Sequence, residues 1–208
     1  MSWEGPAAPY RIETERLVIR CYEPPDAALI KESIDSSLDH LRPWMPWAAD
    51  EPQTLEEKTE LARYFRSNFD SGENFTYGIF AADETELLGG TGLHPRIGPG
   101  GLEIGYWVRA SATRRGIATE ASAALTRVGF EVCGADRVEI RIEPGNEASF
   151  GVPRRLGFVE EATLRRRLYA REGGQLRDVT IFTMFHEDLD RSLAPGIRAF
   201  GARGERVL

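Results

Sequence analysis

Two hydrophobic periods follow each other within residues 102–133 of this chain. From residue 102 to residue 108, apolar side chains occupy every second position, the pattern of a strand, at Leu102, Ile104, Tyr106 and Val108. Beyond Gly116 the apolar positions recur three or four residues apart, the pattern of a helix, at Ile117, Ala121, Leu125, Val128 and Val132. The sequence therefore predicts a strand that passes through a short basic turn into a helix of about five turns.

The rest of the chain shows the same two patterns. Predicted strands cover residues 14–20, 75–81, 87–93, 137–142 and 179–185, and another strand begins at residues 157–159. Predicted helices cover residues 24–36, 54–70 and 146–156. Together with the central strand and helix, these elements predict an α/β (α+β) protein of about seven strands and about four helices.

Proline and glycine interrupt this regularity. Residues 38–49 contain two tryptophans and two prolines, so we predict a rigid aromatic loop there rather than regular structure. In the helix predicted at 146–156, Pro153 would clash with the carbonyl four residues earlier, which a helix with Ser149 as its N-cap avoids. Beyond residue 189, and most clearly at residues 194–208, glycine and mixed charge predict a loosely held tail.

Composition narrows the classes of function. The length of 208 residues suits one domain, with its core at about residues 11–189. The net charge of −7 argues against a protein that coats nucleic acid, although arginines cluster locally. Two cysteines without paired spacing predict neither a disulfide framework nor a metal site. Because neither a secretory pattern nor a membrane-spanning apolar run is present, we predict a cytoplasmic protein without a membrane partner.

The basic turn before the central helix is the first candidate site. A helix start leaves backbone N–H groups without partners and adds a partial positive charge, which suits a phosphate group. Gly116 and Ala118 leave room for an anion near the backbone, and Arg114 and Arg115 add charge at its rim. The alternative is a basic turn that only connects two elements. The nucleotide-hydrolase spacing G-x-x-x-x-G-K-[ST] is absent from the chain.

Two motifs at a fixed separation point to a known family. The turn T-R-R-G-I-A at residues 113–118 resembles the R/Q-x-x-G-x-G/A turn of the GNAT acyl-CoA N-acyltransferases, with Thr113 in place of the usual Arg or Gln. Asn146 is followed eleven and twelve residues later by Gly157-Phe158, which resembles a second signature of that family. The segments N-E-A-S, L-R-P-W-M-P-W, T-E-R-L-V-I-R and E-I-G-Y-W-V are similar to the RimJ/RimL branch, which acetylates protein N-termini.

The resemblance implies a GNAT fold with a mixed, mostly antiparallel sheet, and acetyl-coenzyme A as acetyl donor. It implies that the turn holds the coenzyme pyrophosphate and that the central strand offers backbone groups to pantetheine. The implied coenzyme-binding residues are Tyr106, Trp107, Val108, Arg114, Arg115, Gly116, Ile117, Ala118, Thr119 and Asn146. Alternatively, Asn146 serves a local turn, and the side chains of residues 106–108 are core. We expect the acceptor to be the N-terminus of a protein or peptide, with a small amine as the alternative, and the protein to be a monomer or homodimer.

Acyl transfer to an amine needs a base for the ammonium proton, a stabilised oxyanion and an acid for the leaving thiolate. Glu103 is the candidate base, directly or through water, and we expect burial near Trp107 to raise its pKa. The alternative for Glu103 is a solvated strand carboxylate. Many family members carry the acid as a Tyr seven residues after the Asn, but Pro153 stands there, so Ser149 is the candidate acid. A non-catalytic acyl-CoA-binding protein is the alternative to an enzyme.

Two tryptophans and one histidine are candidates for the acceptor site. Trp44 and Trp47 precede the second helix, beside which the substrate cleft of the family opens, so the resemblance implies that they wall the acceptor pocket. The alternative is a hydrophobic plug over the core. The three histidines share no metal-binding spacing, and His94, before Pro95, is a reserve base near the cleft.

Overall fold

The computed structural model describes residues 3–168, 174 and 176–208, and within these ranges nine strands form one sheet. The strands are β1 Arg11–Glu13, β2 Leu17–Cys21, β3 Phe75–Ala81, β4 Leu87–His94, β5 Gly101–Val108, β6 Arg137–Ile142, β7 Val159–Leu168, β8 Arg177–Phe185 and β9 Arg198–Phe200. The helices are α1 Ala27–Asp35, α2 Leu38–Leu41, α3 Leu55–Asp70, α4 Ile117–Glu131 and α5 Glu147–Leu156. Over the same residues, no helix combines the length and apolar character that a membrane span requires.

The strands lie in the order β7-β8-β6-β5-β4-β3-β2-β1-β9. Every neighbouring pair is antiparallel except β5 and β6, which are parallel. This mixed, mostly antiparallel sheet confirms the predicted fold class. The two strands beyond the seven predicted are β1 and β9, which have three residues each and are too short to show a hydrophobic period.

Helices cover the two faces of the sheet. Ile19 of β2 packs in a buried cluster with Leu125 of α4. Val18, whose side chain points the other way, packs in a second buried cluster with Ile30 of α1 and Ala62 of α3. We call the side of Val18 the front face and the side of Ile19 the back face.

β5 and β6 pair only over the first four residues of each strand. Their register runs from Gly101 opposite Arg137 to Ile104 opposite Ile140. β5 then continues to Val108 paired with β4, whereas β6 continues paired with β8. The two strands therefore diverge at their carboxyl ends, and α4 and α5 begin just beyond this divergence.

The aromatic segment is more regular than we predicted. Helix α2 lies within residues 38–49, and a 3-10 turn at Pro46–Asp50 overlaps the end of this segment. Pro46 occupies the first position of that turn, where its missing N–H removes no hydrogen bond. Leu41 and Ala48 are buried, so each turn places one side chain in the protein interior.

The prediction of a loose tail is wrong for the segment around β9. β9 pairs with β1, and the neighbouring side chains of Ile197 and Ala199 are buried. Arg198 forms an ion pair with Glu13 at 2.7 Å. Two apolar positions are too few to show a pattern in a sequence, so only the pairing with β1 identifies this strand.

Candidate active site

The gap between β5 and β6 lies at the carboxyl ends of two parallel strands, where open sheets commonly bind ligands. Tyr106, Trp107 and Val108 follow the last residue of β5 that pairs with β6. Among the described strands, none pairs with that backbone edge of this segment. A ligand that adds as a strand can bind this edge. The structure thus brings the three residues to one place, and their contact with pantetheine stays a prediction.

The start of α4 exposes backbone N–H groups to the same gap. Its N-cap is Gly116 with a φ of 78°, and no side chain of residues 3–168, 174 or 176–208 caps the helix there. Within the described residues, no acceptor takes the N–H groups of Ile117, Ala118 or Thr119. Arg114 and Arg115 are exposed beside them in residues 113–116, whereas the Ile117 side chain is buried and can offer only its backbone. These features fit the predicted phosphate turn.

A carboxylate in the first turn of α4 would repel an anion, but the structure neutralises it. Glu120 forms an ion pair with Arg16 and accepts a hydrogen bond from the Thr14 hydroxyl at 2.6 Å. Arg16 Nη1 also donates to the carbonyl of Arg115 at 3.1 Å. Sequence reasoning missed Arg16 because 99 positions separate it from the turn that it supports.

Helix α5 covers the segment that we predicted, but its N-cap is not Ser149. Asn146 is the N-cap, and its Oδ1 accepts the N–H of Ser149 at 3.3 Å. Ser149 is therefore not the cap but lies in the first turn, half-buried. Its hydroxyl has no hydrogen-bond partner in the part of the chain that the structure describes. This hydroxyl is free to bind a ligand at the gap.

Pro153 lies inside α5 and leaves the Ser149 carbonyl without its helical donor. The Tyr106 hydroxyl donates to this carbonyl at 3.1 Å and so joins β5 to α5 across the gap. Burial raises the pKa of Tyr106, so the phenol keeps its proton at neutral pH. We predicted only a backbone role for Tyr106. The missing N–H of Pro153 is the sequence signal that indicates a free carbonyl needing another donor.

Arginines surround Glu103, in place of the apolar surroundings that we expected near Trp107. The Arg96 Nε and Nη2 groups donate to the two Glu103 oxygens at 3.0 and 2.6 Å. Arg141 Nε lies 3.9 Å from Glu103 Oε2. Glu103 is 7% exposed, so it is not a solvated strand carboxylate either. The hydrogen bonds with Glu103 raise the pKa of Arg96, so its guanidinium stays protonated.

The charged network continues on β6. Glu139 lies opposite Glu103, is 6% exposed and binds Arg137 at 3.1 Å and Arg141 at 2.9 Å. The register through β3 and β4 places Glu103 and Trp107 on the front face, away from α4. Two buried carboxylates and the three guanidiniums of Arg96, Arg137 and Arg141 therefore share the front face beside the gap, with one net positive charge.

His94 lies opposite Glu103 on the front face of β4. Its Nδ1 hydrogen-bonds Asn74 Oδ1, and its ring lies so close to Gly92 that a Cβ there would be 2.7 Å from Nε2. Burial, together with the charge of Arg96, lowers the pKa of His94 to about 3. A base with such a low pKa accepts protons poorly at neutral pH, which argues against the reserve-base role that we considered.

The aromatic segment reaches the carboxyl end of β5. The rings of Trp47 and Trp107 meet at 5.8 Å between centroids, inclined by 64°. The Trp107 indole lies against Gly90, where any Cβ would overlap it. Trp47 is 37% exposed and so presents a ring surface beside the gap. Trp44 is half-buried in the same segment, and its contact with an acceptor stays a prediction.

Comparison with known proteins agrees with the family resemblance and with this fold. The Acetyltransferase (GNAT) domain family matches residues 16–159, which is more than half of the chain. This chain belongs to the GNAT acetyltransferases. It is accordingly an acyl-CoA-dependent N-acetyltransferase.

Three relatives of this GNAT acetyltransferase cover most of its length. It is 28% identical over 176 residues to YdaF of Bacillus subtilis (strain 168), covering 84% of this chain and 93% of that protein. It is 26% identical over 175 residues to the [ribosomal protein uS5]-alanine N-acetyltransferase of Escherichia coli (strain K12), covering 81% and 87%. The structure of Mycobacterium smegmatis RimJ in complex with CoA-disulfide superimposes with a TM-score of 0.78 at 27% identity, covering 91% of this chain and 94% of RimJ.

His94 makes the stability of this acetyltransferase depend on pH. Its pKa is about 3 in the folded chain against an ordinary value of 6.5, so the unfolded chain takes up the proton first as the pH falls. The free energy of unfolding should then fall by up to about 1.4 kcal/mol per pH unit below pH 6.5 because of this residue. Chemical denaturation between pH 7 and pH 5 measures the slope. His94→Gln should flatten it, whereas His40→Gln, at an exposed position, should not. Parallel slopes for His94→Gln and the parent would contradict a buried neutral ring.

Proposed function

We propose that this GNAT acetyltransferase transfers the acetyl group of acetyl-coenzyme A to the N-terminal amine of a protein or peptide. The observation that carries the proposal is the gap between β5 and β6, which has a free strand edge on one side and two helix starts beyond it. The relative from Escherichia coli, described as acting on an alanine of ribosomal protein uS5, supports a protein acceptor.

The coenzyme would lie in this gap. Its pyrophosphate would accept hydrogen bonds from the free N–H groups at the start of α4, with Arg114 and Arg115 adding charge. Thr113 would contribute little, because its hydroxyl already donates to the Ala110 carbonyl at 2.9 Å. Pantetheine would run along Tyr106, Trp107 and Val108 as an added strand. Asn146, which caps α5, would offer its remaining amide groups to the pantetheine amides.

In the reaction, the amine nitrogen attacks the thioester carbon and loses a proton, and the C–S bond then breaks to release a thiolate. Glu103 would accept the ammonium proton, directly or through water, once Arg96 no longer occupies both of its oxygens. A backbone N–H on the free edge of β5 would stabilise the oxyanion. Ser149, whose hydroxyl is free at the start of α5, would give the thiolate a proton.

The acceptor would approach from the front face. α4 and α5 occupy the back face beside β5 and β6, whereas α1 and α3 on the front face contact β2, β3 and β4. Trp47 would form one wall of the acceptor site, and the charged residues of β5 and β6 would form its floor. Ring surfaces beside a carboxylate suit an amine with an attached side chain.

The test is turnover of labelled acetyl-coenzyme A on peptides and on small amines, measured between pH 6.5 and pH 9.5. An α-amine has a pKa of about 7.7–8.0, so only a few per cent of it is free at pH 6.5 and a base is needed there. Glu103→Gln should therefore lower kcat/KM about tenfold at pH 6.5. Above pH 9, the kcat/KM of this variant should partly return to the parent value.

Glu139→Gln is the matched control, because it also removes a buried carboxylate bound by arginines, at the opposite position on β6. It should leave the shape of the pH profile unchanged. Turnover of small amines with none on peptides would make the protein a small-molecule acetyltransferase. Coenzyme binding without turnover of any amine would make it a binding protein, and either result would reject the proposed function.

A further inference from the structure

The ion pair between Arg96 and Glu103 is buried at one end only. The Glu103 side chain is 9% exposed, whereas the Arg96 side chain is 59% exposed. A guanidinium that already meets water loses little solvation when it moves to another partner, so Arg96 can change partners at small cost. Moving Glu103 would cost more free energy, because its carboxylate is buried on the front face of the sheet. The movable member of the pair is therefore the arginine.

Arg96 also competes directly with an acceptor amine. It bonds both oxygens of Glu103, so an amine can reach this carboxylate only when at least one of these bonds opens. If both bonds opened and no other anion replaced Glu103, Arg96 would have no partner anion, and the positive charge of Arg141 lies beside the same carboxylate. The three guanidiniums already exceed the two carboxylates by one charge. An anion supplied by the acceptor would balance this excess.

We infer that the preferred acceptor carries an acidic side chain at its second or third residue, and that this carboxylate binds Arg96 in place of Glu103. The inference rests on the proposed function and names the acceptor class within it. Arginine binds carboxylates through two parallel hydrogen bonds, so the exchange replaces one two-point pair by another. It also frees Glu103 only when the matching acceptor is bound. Arg96 is thus a specificity-determining residue.

The experiment compares kcat/KM for three peptides that differ only at residues two and three, which are Asp, Asn or Lys. The full chain and acetyl-coenzyme A are used throughout. The Asp peptide should exceed the Asn peptide by about tenfold, the size expected for one charge-assisted pair. The Lys peptide should be the poorest acceptor. Raising the salt concentration should reduce the preference, because salt screens exposed charges.

Variants of Arg96 separate specificity from a structural role. Arg96→Gln should bring the kcat/KM values of the Asp and Asn peptides within about twofold of each other, because neither peptide then meets a guanidinium at this position. Arg96→Lys should restore part of the preference. Arg63→Gln is the control, because Arg63 has the same 59% exposure and pairs with Glu60 on α3. It should retain the full preference.

Equal kcat/KM for the Asp and Asn peptides in the parent protein would overturn the inference and leave the proposed function standing. So would a preference that persists undiminished in Arg96→Gln. Absence of turnover on every peptide, with coenzyme still bound, would reject the proposed function and the inference together.

Discussion

Replacing Ser149 by alanine is expected to lower kcat about 100-fold at every pH between 6.5 and 9.5, within the range typical of acid–base catalysis. The hydroxyl lies in the first turn of α5, beside the gap between β5 and β6, and it does not cap the helix. Removing it should therefore cost the thiolate its proton donor without unfolding the helix. Steady-state kinetics give kcat, and calorimetric titration with coenzyme A should show nearly unchanged affinity.

Asn146→Ala is the matched control for this prediction. It removes the side chain that accepts the Ser149 N–H, so it should destabilise the protein by about 1 kcal/mol, as the loss of a cap usually does. Ser149→Ala should leave the melting temperature nearly unchanged. If Ser149→Ala retains the parent kcat, the thiolate takes its proton from another group. Tyr106→Phe would then be the next variant, because that hydroxyl bonds the Ser149 carbonyl.

Gly116→Glu is expected to weaken coenzyme A binding at least 100-fold. The added carboxylate would stand beside the free N–H groups at the start of α4, where the pyrophosphate should bind. Two like charges about 4 Å apart near a protein surface repel by roughly 4 kcal/mol. A tenfold loss of affinity corresponds to only about 1.4 kcal/mol. Calorimetric titration or the shift in melting temperature with coenzyme measures the loss.

Backbone strain must be separated from charge in this variant, because Gly116 has a φ of 78°. Gly72 has a φ of 72° and no heavy atom within 4 Å of an added Cβ, so Gly72→Glu imposes similar strain away from the gap. Gly72→Glu should lose about 1 kcal/mol of stability and keep its affinity for the coenzyme. Equal affinity in Gly116→Glu and the parent would place the phosphate elsewhere and leave the turn as a plain connection.

Most elements of this fold could be predicted because burial on one side imposes a period on the sequence. β3, β4, β5 and α4 all lie within one residue or two of their predicted bounds. The N-terminus of α3 is equally local, since Thr54 and Glu57 form a capping box over four residues. β1 and β9 were missed because a three-residue strand has no measurable period.

In the candidate site too, the local features could be predicted and the long-range contacts could not. The turn around Gly116 was predicted because a helix start with a glycine is a local feature. Ser149 was considered as the cap of α5 because Pro153 would clash with the carbonyl four residues earlier, but the cap is Asn146. The helix accommodates Pro153 because Tyr106, 43 residues away from Ser149, supplies the missing donor. No local pattern contains that information.

Local order along the chain was enough to predict the elements, the helix start after Gly116 and the family motifs, because periods, caps and turns act over a few residues. Three-dimensional packing alone decided what surrounds Glu103. Strand register sets His94 and Glu139 opposite it, and Arg96 and Arg141 converge on its carboxylate. The electrostatic character of a buried carboxylate depends on such neighbours, which strand pairing brings together from separate parts of the chain.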